Sequence, residues 1–98
     1  MIEVRRLSGE DPMEFEVVTR ESTGEARHIV TMAAAHFARL SAGAPPERCI
    51  EAAFRFLLER EPREAILRRF DIDVISRYFP EFERELPLYL TVAAGRGP

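Results

Sequence analysis

Few side chains in this sequence are of a type that does covalent chemistry, and their spacing limits what they can do. The single thiol, Cys49, follows Pro45-Pro46-Glu47-Arg48 and so falls in the first turn of a predicted helix. There the positive end of the helix dipole and the neighbouring Arg48 would lower its pKa and favour the thiolate. The competing reading is a small buried hydrophobe, since free cysteine is among the most buried residue types. His28 and His36 stand eight residues apart, one in a predicted strand and one in the next helix. Neither has a ligand-type partner four residues along a helix, the spacing that best presents two groups to a metal. Both are read as structural or surface histidines, and no metal site is predicted. Glu81, Glu83 and Glu85 alternate, so on a helix they point apart and read as a solvated face. Gly9, Gly24, Gly43, Gly95 and Gly97 are scattered, without the spacing of a phosphate loop or a dinucleotide-binding turn. The expectation is a protein with no catalytic residue and no cofactor.

Two groups of residues point to binding instead. Phe56, Tyr78, Phe79, Phe82 and Tyr89 belong to a surplus of large apolar side chains that a few short elements would struggle to cover. An exposed apolar patch of more than a few hundred Å² marks a partner surface, and a symmetric dimer is the commonest way to cover it. Arg60, Arg63, Arg68, Arg69 and Arg77 form the alternative, a set of phosphate contacts for nucleic acid. That reading needs them on one face. Glu59, Glu61, Glu64, Asp71 and Asp73 lie among them and the net charge is −3, so long-range attraction to a polyanion would be weak. All the basic residues are arginine, which suits ion-pair networks but also follows from a G+C-rich genome.

Ninety-eight residues, 46% hydrophobic and 32% charged, suffice for one core and exclude a disordered or low-complexity chain. One α+β domain is expected over residues 1–92, with a frayed tail over 93–98. Ile2 and Val4, then Met13, Phe15 and Val17, alternate with charged residues at the period of half-buried strands. A third run, Arg27 to Thr31, follows the Ser22-Thr23-Gly24 turn, which makes a three-stranded antiparallel meander. Setting Val4 opposite Phe15 or Val17 brings Arg5 opposite Glu14 or Glu16. Setting Val17 against Ile29 collects Ile2, Val4, Phe15, Val17 and Ile29 on one face. That face is expected to pack on a central helix, Pro46 to Arg60, whose Ile50, Ala53, Phe54, Leu57 and Leu58 follow helical spacing. Thr31 is a candidate N-cap for a first helix over Met32 to Leu40. Further short helices are predicted at Pro62 to Phe70, after an Asp71 or Asp73 cap, and at Glu81 to Leu86, where Pro87 ends the helix. Leu88 to Val92 reads as a short strand or a loosely packed segment.

The stretch Phe56-Leu57-Leu58-Glu59-Arg60-Glu61-Pro62-Arg63-Glu64-Ala65-Ile66-Leu67, with Phe70-Asp71, Ile75 and Tyr78-Phe79-Pro80-Glu81 after it, resembles a segment of a family of small bacterial proteins. His28-Ile29-Val30-Thr31 fits the same pattern. That family has no assigned activity, so the resemblance implies a bacterial cytoplasmic protein and transfers no site residue. Met1 to Leu7 carries Glu3, Arg5 and Arg6 and lacks the apolar stretch of a signal peptide. No apolar run approaches the roughly 20 residues of a membrane span. The sequence thus predicts a cytoplasmic, non-catalytic protein-interaction module, a homo-oligomer or partner of another protein, with a nucleic-acid-associated regulator as the alternative and no membrane contact.

Overall fold

The N-terminal alternation produces three strands in the computed structural model, which describes residues 1–95, with side chains to residue 91. They are β1 (Ile2–Ser8), β2 (Met13–Glu21) and β3 (Gly24–Met32), paired antiparallel. Val4 pairs with Val17 and Arg5 with Glu16, one of the two registers expected. The second hairpin differs from expectation by one residue. Val17 faces His28 and Phe15 faces Val30, so His28, Val30 and Met32 point into the core. Ile29 turns to the other face, half-buried, because a one-residue slip reverses every side chain of a strand. The reason lies in the turn. Glu21 pairs with Gly24 about a two-residue tip, and Gly24 has a positive φ of 142°. A tight tip fixes the register whatever the apolar pattern prefers.

The sheet has a fourth strand that the sequence reading assigned to a helix. Over 62–70 only a single 3-10 turn forms, Arg63–Ala65, and the chain then runs as β4 (Arg69–Asp71), parallel to β3 in the order β1-β2-β3-β4. The Ile29 amide donates to the Arg68 carbonyl and the Ile72 amide to the Thr31 carbonyl, at 2.8 and 2.9 Å. Those bonds satisfy an edge that would otherwise be unpaired. Around β4, exposed Arg69, buried Phe70, half-buried Asp71 and buried Ile72 alternate as in a strand, which overrides the helical spacing of Ile66, Leu67 and Phe70. Thr31 is not a helix cap: it stays in β3 and its hydroxyl donates to Asp71 at 2.6 Å. The first helix, α1 (Ala34–Leu40), is capped from a distance, as Asp11 in the β1–β2 turn accepts the Ala34 amide at 3.0 Å. Asp71 also accepts the Asp73 amide at the start of α3 (Asp73–Tyr78).

The central helix, α2 (Pro46–Leu58), opens on proline with Glu47 in its first turn, as the missing amide and the dipole favour. It is buried on two sides. Phe54 lies against His28 of β3 and Phe70 of β4, with ring centroids 5.2 and 6.1 Å apart. Two residues on, about 200° around the helix, Phe56 meets Phe79, Phe82 and Tyr89 edge-on at 5.9, 5.1 and 5.6 Å. The last two belong to α4 (Phe82–Gly95), which passes through Pro87 where the sequence reading ended the helix. Internal proline costs roughly 3 kcal/mol, but Phe82, Leu86 and Leu90, four apart on one buried face, supply more by leaving water. Leu88 to Val92 is therefore helix, not a short strand or a loosely packed segment. Of the expected tail, 93–95 are helical and 96–98 lie outside the described residues. The class is α+β, with a mixed sheet rather than a meander alone. No helix among the described residues is long and apolar enough to cross a membrane.

The register has a direct test in urea denaturation. Truncating inward Met32, fully buried, should cost about 2–5 kcal/mol as Met32→Ala, whereas Ile29→Thr on the opposite face should cost under about 1 kcal/mol. Equal losses would contradict the observed pairing.

Candidate functional site

The reactive candidates Cys49, His28 and His36 are all buried. Cys49 is fully buried, and burial pushes its thiol up to about 11, against the lowering that a helix start and Arg48 would produce. Of the two readings the sequence leaves open, the structure gives the small hydrophobe. His28 is also buried; its Nδ1 lies 2.9 Å from the Leu67 carbonyl and so carries the proton, while its Nε2 has no partner among the described residues. Burial pushes its pKa below the ordinary histidine value, with Arg68 nearby acting in the same sense. His28 is a neutral strut between β3 and the segment leading into β4. His36 is buried with Nε2 at 3.3 Å from Glu83, whose carboxylate also takes two bonds from Arg39. Those bonds, Arg39 foremost, hold Glu83 below its usual range. Among the described residues no three His, Cys, Asp or Glu side chains gather to hold a metal.

The arginines do not form one stripe. Arg60 stacks its guanidinium 3.6 Å over the Phe56 ring and bonds Glu81 at 3.2 Å, Glu85 at 2.8 Å, the Phe56 carbonyl and the Tyr89 hydroxyl. Arg63 is buried beneath the β2–β3 hairpin, bonded to Glu21 at 2.5 Å and to Thr23. Arg68 and Arg69 are exposed in and before β4, Arg69 reaching Glu14 at 3.5 Å, and Arg77 pairs with Asp73 on α3. Three of the five, Arg60, Arg63 and Arg69, are thus paired with carboxylates on other elements, while Arg77 pairs within α3. The nucleic-acid reading needs them on one face, and a turn, a short strand and separate helices do not bring them there.

The aromatic set divides as well. Phe56 and Phe82 are fully buried in the α2–α4 seam and cannot meet a partner. Phe79 and Tyr89 are half-buried, and Tyr78 is 70% exposed. Two open clefts carry what remains of the surface reading, and both flank the last turn of α2. One, of about 310 Å³, is lined by Leu57, Ile66, Phe70, Ile75 and Phe79, with Leu67 (50% exposed) and Tyr78 at its rim. Its lone carboxylate, Glu61, is pushed above the usual carboxylate range by burial. The other, of about 470 Å³, is lined by Ile2, Leu58, Tyr89, Arg55 and Glu59, with Met1 and Leu88 exposed beside it. There the Tyr89 hydroxyl donates to Glu59 at 2.6 Å, which raises its pKa.

Leu67, Leu88 and Met1 escaped the sequence reading. For Leu88 the signal is present, since extending the Phe82 to Leu86 spacing to Leu90 leaves it outside; for Leu67 it is not, because 67–69 are all exposed and break the alternation. No family model, curated protein or solved structure matches the chain.

Two measurements check these placements. Cys49 should react with a maleimide at a rate set by opening of the fold, and fully only in denaturant; rapid labelling of the native protein would contradict its burial. For His28 the folded pKa lies below 6.5, so the unfolded chain takes up the proton first. The stability given by the neutral ring is complete above that value and lost as pH falls through it towards the folded pKa. His28→Asn, which keeps a donor for Leu67, should flatten that part of the stability profile, and an unchanged slope would contradict the assignment.

Proposed function

We propose that this chain is a small non-catalytic protein-interaction module that self-associates. The observation that carries the reading is apolar surface left open beside the last turn of α2, with Leu67, Tyr78, Met1 and Leu88 exposed around two apolar clefts. Large apolar side chains grouped in this way favour a partner that removes them from water, at about 25 cal/mol per Å². The placement of the reactive groups agrees with a binding role. Cys49 and His28 are spent on the core, and Arg60 and Arg63 on joining elements. A bacterial cytoplasmic setting belongs to the same reading, on the resemblance of the 56–81 segment.

Sedimentation equilibrium from micromolar to millimolar concentration tests the proposal. The expected result is a reversible shift from the 11.2 kDa chain to twice that mass, weakened about tenfold by at least one of Leu88→Asp and Tyr78→Asp, two exposed positions where folding is spared. A single chain mass throughout the range would overturn self-association.

A further inference from the structure

We infer that the free edge of β1 pairs antiparallel with β1 of a second copy, in the one register that sets Glu3 opposite Arg5 of that copy. The inference rests on the self-association reading and supplies its interface and symmetry. The sheet has two edges. On one side β4 is only three residues long; on the other β1 offers seven. Which β1 groups are free follows from its pairing with β2. Met1 and Arg20 exchange both backbone bonds, each 2.8 Å. Since bonded pairs alternate in an antiparallel ladder, Glu3 and Arg5 also aim their backbone groups at β2. Ile2, Val4 and Arg6 aim theirs away, into the open edge.

A second β1 must therefore join through these even-numbered residues, which limits the registers. Val4 opposite Ile2 of the second copy brings the two Glu3 side chains together; Val4 opposite Arg6 brings the two Arg5 side chains together. Val4 opposite Val4 avoids both clashes. It places Glu3 opposite Arg5 twice, in the non-bonded positions where side chains approach most closely. Both residues are exposed on the outer face, Arg5 at 70% and Glu3 at 53% of the side chain, and each already pairs within its own chain, with Glu16 and Arg20. Charges on an edge strand ordinarily discourage pairing; this spacing makes them complementary to their own copy.

The inner face agrees. The same register sets Arg6 of the second copy opposite Ile2, which lines the larger cleft together with Glu59. A two-fold axis through Val4 keeps the faces matched, so the helices of both copies lie on one side of a continuous eight-stranded sheet. The exposed Met1 and Leu88 border that same cleft.

The experiment uses two charge reversals at exposed positions, Glu3→Arg and Arg5→Glu, and sedimentation of each alone and mixed. Each variant alone should dimerise at least about tenfold more weakly, because like charges then face each other twice. An equimolar mixture should recover dimers, since every cross-pair is again of opposite sign. Amide exchange at Val4 and Arg6 in the wild type should slow as concentration rises, a readout that needs no substitution. Dimers indifferent to both reversals, or variants that do not recover on mixing, would overturn the β1 edge and leave self-association standing. A wild type that never dimerises would remove the broader reading and the edge with it.

Discussion

Phe54 and Phe56 sit two residues apart on α2 and so face opposite ways, and most of the molecule is arranged to keep both rings dry. Phe54 needs the sheet, which supplies His28 and Phe70; Phe56 needs a second helical layer, which supplies Phe79, Phe82 and Tyr89. A helix with one apolar stripe packs against one neighbour. With two it must lie between layers, and this explains why α4 tolerates Pro87. Ending that helix early would uncover Leu90 and Tyr89 and leave the far side of α2 in water. The same demand accounts for β4. Phe70 can close over Phe54 only if the segment after α2 returns to the sheet, and the unpaired edge of β3 provides its bonds.

Arginine serves this arrangement in a way lysine would not. Arg60 lies flat on the ring of Phe56 while its edge bonds Glu81, Glu85, the Phe56 carbonyl and Tyr89. A planar group with several fixed donors can stack and bond at once. The carboxylates it holds are Glu81 and Glu85, one turn apart around the start of α4, and Glu81 is kept below its usual range first by its own backbone amide and then by Arg60. Arg63 performs a similar service at the opposite end of the sheet's second hairpin, buried with Glu21 and Thr23 as partners. On the outer face of the sheet, Arg5 and Arg27 converge on Glu16, and exposed pairs of that kind contribute little to stability. Their effect is to make the face charged in a fixed pattern.

The first three strands and the central helix were legible because each carries one dominant period over several turns or residues. The alternation from Met13 to Val17 and the spacing from Ile50 to Leu57 admit no other element. The rest was hidden where two periods overlap or where a distant group decides. Ile66, Leu67 and Phe70 suit a helix as well as Ile66, Phe70 and Ile72 suit an extended chain, and only the vacant edge of β3 chooses between them. Asp11 capping α1 across the fold, or the tight tip at Gly24 setting the register of Ile29, leaves no local trace. The candidate surface suffered from the same limit. Phe56 and Phe82 are aromatic enough to suggest a partner, but which aromatic stays outside depends on which layer reaches it. Leu67 and Leu88 stay outside because the turn before β4 and the full length of α4 direct them away from the core.

The described fold leaves apolar surface open. A helix buried on two sides asks for three layers, and a chain of 98 residues buries a smaller share of its surface than a larger domain does. The shortage falls where the layers run out, at the last turn of α2, where Leu57 borders one cleft and Leu58 the other. The proposed pairing along β1 would meet the second cleft, because the edge that needs backbone partners and the cleft that needs apolar ones share Ile2. The unpaired edge and the uncovered cleft then become one problem, solved by one contact.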